Sequence, residues 1–496
     1  MRAITTLTIY EPIMKKRIAL YHLLVALLLV GAAASCPAQN ATQPLTALEA
    51  KLQLRESRMV PVTGRSITVF DVATPRSEIG HRLFRIPEHP AFDSLLTPDV
   101  TQHLLDEINR RCETLGKDTL LTSNLIWVYR PYFDWLFAED PHCRIEPMIP
   151  ASEMRETRKL RVPAFDLLRI NDTVIVHHSL DAAFRPGDRI LAINGIPVET
   201  LQQYTYPDRY DTPANLLRHY HFSNVVDSFA FDIERQGERL RLQTSGEIQR
   251  RVVLKLQQQR ALALKIFPDA ASACISIPSF YPNNSWLIKE LSRQIKKCKA
   301  EGITHIILDL RMNPGGYGDR FDELLSLFIN RPAIDYLRGA RIRCSRATIR
   351  LYDFLSGEQM GQNVALPEGE IVRRVPLQPE LFVDGMKYYV LMSRNTGSIA
   401  ATFCNILQYN QAATLVGEPL LRHNFRYGET VPGRILLPTL LREMGISTIE
   451  YNEYTRAVDG VLMPNIAIPY VARDYLSGRD AMLDKLLEII RKQNNT

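Results

Sequence analysis

The sequence has little that would place it among metal-binding, redox or nucleic-acid-binding proteins. None of its cysteines forms a CxxC pair, which argues against a zinc knuckle or a thioredoxin-like centre. It has no Lys/Arg stripe interleaved with aromatics, and its net charge of +6 is too weak to indicate nucleic-acid binding. In a chain this long, buried free thiols are the expected state of the cysteines.

Phosphate-binding loops, internal repeats and low-complexity tracts are also missing. No GxxxxGK[ST] stretch occurs, so the sequence offers no P-loop. The chain has 496 residues, of which 46% are hydrophobic and 23% charged, an ordinary globular composition with room for two or three domains.

The N-terminus has the layout of a secretory signal. Lys15-Lys16-Arg17 precede the apolar run 18–30, and small residues then lead to Cys36. The run is too short to indicate a membrane span. Cys36 resembles a bacterial lipoprotein site, and cleavage near Ala38 is the alternative. We therefore expect 1–38 to be a signal peptide and the protein to be exported to the bacterial periplasm or cell envelope, with or without a lipid anchor.

The rest of the chain changes pattern twice. The pattern over 41–156 predicts mainly helices, with an amphipathic helix over Pro98–Leu115. Residues 160–250 contain short alternating strands with turns at Asn194-Gly195 and Gln236-Gly237. Strands and helices alternate over 256–496, which favours a layered α/β domain. In that region we expect helices over Gly318–Asn330 and Ser398–Gln408.

Two turns in the α/β region could carry chemistry. In ILDLRMNPGG an apolar strand runs into Gly315-Gly316, where backbone N–H groups could form an oxyanion hole, or where the glycines simply allow a tight turn. In NTGS a strand gives way to a helix at Ser398. Its hydroxyl could be exposed beside the N–H of Ile399, or Thr396 or Ser398 could simply cap the helix.

A third candidate is the segment EDPHCRI, Glu139 to Ile145. Its Asp-Pro-His turn could place His142 as a general base near neutral pH, although a single loop histidine is often only solvated or structural.

The order of these motifs resembles that of the tail-specific (C-terminal processing, tricorn-core-like) serine peptidases. RPGDRILAINGIPVE, ILDLRMNPGG, NTGS and TLVGEP follow one another, and DGVLMPNIAIPY comes near the end. The resemblance runs from about Glu139 to the C-terminus. It implies a PDZ-like domain at 160–250 and a crotonase-like (ClpP-like) α/β peptidase core at 256–496, with Ser398 as nucleophile.

Two departures from the family leave the proton-transfer machinery open. His423 occupies the position of the lysine in the family's Ser-Lys dyad, so that dyad is not supported. The tricorn-like branch instead uses a histidine before the PDZ domain, which matches His142. That branch also has a glutamate before Gly-Val, whereas here Asp459 stands near that position out of register and Glu453 lies farther upstream.

The resemblance implies a serine endopeptidase that needs no metal or cofactor. Ser398 would attack a peptide carbonyl, His142 would accept its proton, and N–H groups of Gly315 or Gly316 and of Ile399 would hold the oxyanion. His423 is a competing base or a substrate contact. The PDZ-like domain would capture polypeptides, including their C-termini, or else serve an architectural or gating role.

Functions from other classes remain alternatives. The absent dyad lysine also fits a catalytically inactive envelope protein that binds peptides on the same fold. A carbohydrate-processing enzyme would need paired carboxylates, and no convincing motif of that kind is present.

Overall fold

The computed structural model describes residues 70–71, 88–115, 119–120, 122–147, 161–203, 228–280, 284–421, 423–430, 435–437, 442–469, 471–476 and 479–495. The predicted signal peptide and Cys36 lie outside these ranges. Within them, no helix has both the length and the apolar character needed to cross a membrane. The six cysteines in these ranges are buried free thiols, as expected: Cys112, Cys143, Cys274, Cys298, Cys344 and Cys404.

The elements are numbered here in chain order. The helices are α1 (Phe92–Leu95), α2 (Pro98–Leu115), α3 (Thr122–Glu139), α4 (Val198–Gln203), α5 (Gln249–Arg260), α6 (Asn284–Ala300), α7 (Phe321–Ser326), α8 (Ile399–Tyr409), α9 (His423–Arg426), α10 (Ala472–Leu476) and α11 (Ala481–Asn494). Strands of the first half are β1 (Phe70–Asp71), β2 (Thr119–Leu120), β3 (Arg144–Pro147), β4 (Arg161–Val162), β5 (Phe165–Ile170), β6 (Thr173–Ser179), β7 (Arg189–Ile193), β8 (Ile196–Pro197), β9 (Ser228–Arg235), β10 (Glu238–Ser245) and β11 (Glu247–Ile248).

Strands of the second half are β12 (Leu264–Phe267), β13 (Ser272–Ser276), β14 (His305–Asp309), β15 (Ala333–Asp335), β16 (Leu337–Arg343), β17 (Asn363–Ala365), β18 (Arg374–Pro376), β19 (Lys387–Met392), β20 (Thr414–Gly417), β21 (Leu420–Leu421), β22 (Tyr427–Thr430), β23 (Ile435–Leu437), β24 (Arg442–Gly445), β25 (Ser447–Glu453), β26 (Val461–Leu462) and β27 (Ile466–Ala467).

The described N-terminal part is a pair of packed helices, α2 and α3. The apolar face of α2, with Leu104 and Ile108, is buried in one cluster with the aromatic residues of α3. After α3 the chain turns at Asp140 into β3. This strand pairs antiparallel with β24 of the C-terminal half, and so ties the helical part to the rest of the chain.

The described residues 161–203 and 228–248 form a β module, built on an antiparallel sheet in the order β10-β9-β7-β6-β5. Two of its hairpin turns are those expected from the sequence. Asn194 and Gly195 have φ of 51° and 73°, and Gln236 and Gly237 have φ of 53° and 86°, the left-handed values that tight hairpins require. β5 is the edge strand of this sheet.

The C-terminal half is built on a six-stranded sheet in the order β12-β13-β14-β19-β20-β27. All neighbouring pairs except β12–β13 are parallel. Ile306 and Leu308 of β14 belong to the apolar core shared with α6 and α8, whereas Ile307 faces α11 on the other side. This sheet is therefore covered by helices on both faces, which explains the continuous apolar runs of its strands.

One predicted helix is much shorter than expected. The sequence suggested a helix over Gly318–Asn330, but α7 spans only Phe321–Ser326. Arg320 has a φ of 55°, which no helix interior allows, so α7 cannot begin earlier. The preceding loop is fixed instead by the Asn284 side chain, whose amide donates to the carbonyl oxygens of Tyr317 and Asp319.

Candidate active site

The two loops singled out in the sequence meet at one edge of the central sheet. β14 and β19 are parallel neighbours, with Asp309 level with Leu391, so the loops that follow them leave from the same edge. Gly397 N–H donates to the carbonyl of Asn313 at 3.0 Å. The Thr396 hydroxyl donates to the carbonyl of Leu310 at 2.8 Å, so both loops are bonded to each other directly.

The start of the glycine loop is anchored by an ion-pair network. The Arg311 guanidinium contacts Asp309 at 2.9 Å and Asp480, at the start of α11, at 2.6 Å. Burial alone would raise the pKa of Asp480, but Arg311 outweighs it and keeps that pKa below its ordinary value. In addition, the Ser393 hydroxyl donates to the Arg311 carbonyl at 2.6 Å.

Ser398 has a strained backbone and does not cap its helix. It lies between β19 and α8 with φ 52° and ψ −135°, a region that non-glycine residues rarely adopt. Its hydroxyl makes no capping hydrogen bond. Thr396 does not cap α8 either, because its hydroxyl binds Leu310 and accepts from Ser393 N–H. Simple capping therefore does not explain this serine.

The glycine turn lies directly against Ser398. A Cβ atom on Gly315 would be 2.6 Å from the Cβ of Ser398, and one on Gly316 would be 2.5 Å from the carbonyl carbon of Phe280. Both glycines also have positive φ, 106° and 149°. Two independent constraints, close approach and backbone conformation, thus require glycine here.

The N–H groups of the two glycines differ in their availability. That of Gly315 donates to the side-chain oxygen of Asn313 at 2.9 Å. Gly316 is flanked by bonds that join Gly315 and Tyr317 to Phe280, so its own N–H lies on the opposite side. Ile399 contributes the first N–H of α8. Within the described part of the chain, neither Gly316 nor Ile399 donates this N–H to another residue, which leaves them as the pair able to hold an oxyanion.

His142 lies in a buried turn held by a carboxylate. The backbone N–H of His142 donates to Asp140 at 2.8 Å, and its Nδ1 lies 3.4 Å from the same carboxylate oxygen. The other oxygen of Asp140 lies 3.2 Å from Nε2 of His89 and 3.3 Å from Sγ of Cys143. Burial alone would raise the pKa of Asp140, but His142 and His89 hold it well below its ordinary value.

The remaining predicted residues lie elsewhere. Among the described contacts, Ser398 makes no hydrogen bond to His142. His423 begins α9, and its side chain lies outside the described set. Asp459 is exposed, with a φ of 50°, in the tight turn closed by Val458 and Val461. The structure thus brings Ser398, Ile399, Gly315 and Gly316 together, whereas His142 lies in the turn before β3 and Asp459 in the turn before β26.

The family comparison matches this part of the chain. Residues 271–424, which include both loops, match the model of peptidase family S41. This region is therefore similar to the S41 peptidases. No curated protein matches the chain in sequence.

Two CPAF structures share the fold of this chain, and a third solved structure is less similar. A CPAF mutant aligns with a TM-score of 0.53 at 14% identity, over 89% of this chain and 98% of that chain. Mature CPAF complexed with lactacystin aligns with a TM-score of 0.52 at 14% identity, over 89% and 100%. A photosystem II D1 C-terminal processing protease aligns with a TM-score of 0.37 at 14% identity, over 72% and 87%.

Two further carboxylates, to which motif order alone assigned no role, contact His142 or the helix that follows Ser398. Glu453, at the end of β25, is buried and accepts from Thr402 Oγ1 at 2.8 Å and from Asn405 Nδ2 at 2.9 Å. Both partners belong to α8, one and two turns after Ser398. Asp140 is the acid bonded to His142, and the Asp-Pro-His spacing was the sequence signal that could have identified it.

Proposed function

We propose that this chain is an exported serine endopeptidase that hydrolyses polypeptides through an acyl-enzyme at Ser398, with His142 as general base. The observation that carries the proposal is the conformation of Ser398: a strained, uncapped serine pressed against a glycine turn. Strain of this kind persists where the surrounding structure holds it, and it clusters at catalytic positions. A serine between a strand and a helix is also where hydrolases expose a nucleophile.

The proposed reaction has two steps, acylation of Ser398 and hydrolysis of the acyl-enzyme. The Ser398 oxygen forms a bond to the peptide carbonyl carbon while His142 takes its proton, and the oxyanion accepts bonds from Gly316 and Ile399. Collapse of this intermediate breaks the C–N bond, and His142 protonates the leaving amine. A water molecule, deprotonated by the same histidine, then attacks the acyl carbon; the ester C–O bond breaks, the acid product leaves, and the histidine returns the proton to the Ser398 oxygen.

We assign Asp140 as the acid that orients His142. It is buried, stays ionised and contacts both the backbone N–H and Nδ1 of this histidine, so Nε2 would face the substrate side. Catalytic hydrogen bonds are often long without substrate and tighten when it binds. We therefore expect His142 to bind the Ser398 hydroxyl when substrate is bound. In this arrangement Glu453 stabilises α8 through its hydrogen bonds, and Asp459 has only a structural role in the turn between Val458 and Val461.

The test separates the nucleophile from the base. Ser398→Ala should abolish hydrolysis of an unstructured polypeptide such as denatured casein, whereas Ser245→Ala, an exposed serine of the β module, should not change it. Next, His142→Ala and His423→Ala are compared, with the exposed His103→Ala as control. If His142→Ala leaves turnover intact and His423→Ala removes it, the base is misassigned; if neither slows the reaction, the proton-transfer mechanism fails.

A catalytically inactive, peptide-binding envelope protein is the alternative function. It is motivated by His423, which stands at the position of the family's dyad lysine, and by Asp459, which stands out of register with the family's glutamate. Labelling by a serine-reactive fluorophosphonate that is lost in Ser398→Ala would exclude it. Absence of both labelling and turnover, with retained peptide binding, would favour it.

We further propose that the core is crotonase-like and that the β module is PDZ-like and captures polypeptide substrates, including their C-termini. Its sheet ends in β5, an edge strand to which an extended peptide could add. We also propose export to the periplasm or cell envelope with lipid on Cys36. Mass spectrometry of the mature N-terminus would distinguish a lipidated Cys36 from cleavage near Ala38.

A further inference from the structure

An Asp-His-His cluster lies in the β module, outside the site described above. Asp166 lies on β5, and His177 and His178 lie near the end of β6. The register of the two strands shifts at this point: Asp166 pairs with His178, but Leu167 pairs with Val176. His177 is thus the extra residue of a β-bulge. Bulges commonly redirect a side chain from one sheet face to the other.

The bulge brings two consecutive histidines to the same carboxylate. Successive side chains on a regular strand point to opposite faces. Here the two imidazole rings are 4.0 Å apart, nearly perpendicular, and their Nδ1 atoms lie 3.9 Å and 3.5 Å from Oδ1 of Asp166. The backbone N–H of His178 also donates to this oxygen at 2.7 Å, which holds the carboxylate in place.

These separations suit ligands that share a metal ion. At 3.5 Å and 3.9 Å, the two imidazole–carboxylate distances are too long for good hydrogen bonds. With metal–ligand bonds of about 2.0–2.2 Å, neighbouring ligands of a tetrahedral zinc lie about 3.4 Å apart. One ligand atom from each of the three residues lies within 4.8 Å of the others. The side chains are 21–39% exposed, so an ion could enter and water could complete its coordination.

We propose that Asp166, His177 and His178 form a binding site for a divalent transition metal, Zn²⁺ first among them. Two imidazoles with one carboxylate suit zinc, copper and nickel, whereas magnesium and calcium prefer oxygen ligands. The site is independent of the peptidase mechanism. Ile175, two residues before His177, packs with Leu168 against Met312 and α10, so the metal would fix the module close to its contact with the peptidase domain.

A second possible metal cluster is explained without an ion. His89, Asp140 and Cys143 also bring ligand atoms together, but all three are buried. Asp140 is bonded to His89 at 3.2 Å and to Cys143 at 3.3 Å, so hydrogen bonds account for this geometry. The two clusters differ in one useful respect, because only the second contains a thiol.

Calorimetric titration of the full chain with ZnCl₂ tests the site. We expect one saturable equivalent whose affinity falls at least about 10-fold in each of His177→Ala, His178→Ala and Asp166→Asn, since even loss of residues that only support a metal ligand costs 10- to 100-fold. His103→Ala and Cys143→Ser are the matched controls and should leave the equivalent unchanged.

Cobalt substitution identifies which cluster holds the metal. Co²⁺ bound by Asp166 and the two histidines gives ligand-field bands without a thiolate charge-transfer band. A thiolate band that disappears in Cys143→Ser would place the metal at the buried cluster and overturn the proposal. Saturable binding that survives all three ligand substitutions, or no saturable binding of Zn²⁺, would overturn it equally.

Discussion

Replacing Gly315 with alanine tests the contact on which the active-site geometry depends. The new Cβ would lie 2.6 Å from Cβ of Ser398 and 2.9 Å from the carbonyl oxygen of Gly397. Carbon atoms in contact normally lie about 3.5–4.0 Å apart, so Ser398 would have to move by about 1 Å. The φ of 106° adds backbone strain of about 1–3 kcal/mol for any residue with a side chain.

The substitution should affect two measurable quantities, the free energy of unfolding and the rate of turnover. Overpacking should lower the free energy of unfolding by about 1–3 kcal/mol beyond the backbone strain. A displacement of about 1 Å at a reacting atom can reduce turnover by about 100-fold. Gly315→Ala should therefore fold with reduced stability and should lose turnover far more than its residual folded fraction would explain.

Gly237→Ala provides the matched control. Gly237 has a φ of 86°, and a Cβ built there meets no heavy atom within 4 Å. Gly237→Ala should therefore have backbone strain similar to that of Gly315→Ala, but no steric clash. Turnover of denatured casein and urea unfolding are measured for both variants. If Gly315→Ala keeps wild-type turnover and is destabilised no more than Gly237→Ala, the contact with Ser398 does not exist as described.

Three further predictions concern carboxyl groups. Burial raises the pKa of Glu88 from its ordinary 4.5 to about 7, so its contribution to stability is present below pH 4.5 and is lost as the pH rises through about 7. In urea unfolding, the free energy of unfolding of the wild type should fall by about 2 kcal/mol between pH 4.5 and 8 because of this group, after allowance for solvent screening. Glu88→Gln should remove that fall, and an unchanged fall in the variant would contradict the prediction. Asp140→Asn should lower turnover by about 100-fold or more with the chain still folded by circular dichroism, and wild-type turnover would exclude Asp140 as the orienting acid. Glu453→Gln should cost about 1–3 kcal/mol in urea unfolding, because a glutamine has one acceptor oxygen for the two donors, Thr402 and Asn405, that the carboxylate satisfies; no loss of stability would show that the buried carboxylate is not required.

The fold was most predictable where local pattern and tertiary environment agree. β14 and β19 are buried on both faces, so their apolar runs identified them as strands. Likewise, the two hairpin turns carry residues that tolerate positive φ. The extent of α7 could not be read in this way, because Arg320 is held in a left-handed conformation next to a loop fixed by Asn284, far away in sequence.

The sequence predicted the positions of the two loops of the candidate site better than the partners of its polar and charged groups. Parallel strands bring Ser398 and the glycine turn to one edge of the sheet, and the strand–loop–helix order in the sequence predicts this placement. Which glycine N–H is available depends on the Asn313 side chain. The buried partners of Glu453 depend on how β25 packs on α8, and this packing cannot be predicted from the order of the residues.

The bonds between the glycine loop and the serine loop have a consequence for regulation. Thr396, Ser393 and Gly397 join the serine loop to Leu310, Arg311 and Asn313 through hydrogen bonds of 2.6–3.0 Å. The proposed nucleophile and oxyanion donors are therefore held together before substrate binds. We accordingly expect control of activity to act through delivery of His142 or of the substrate chain.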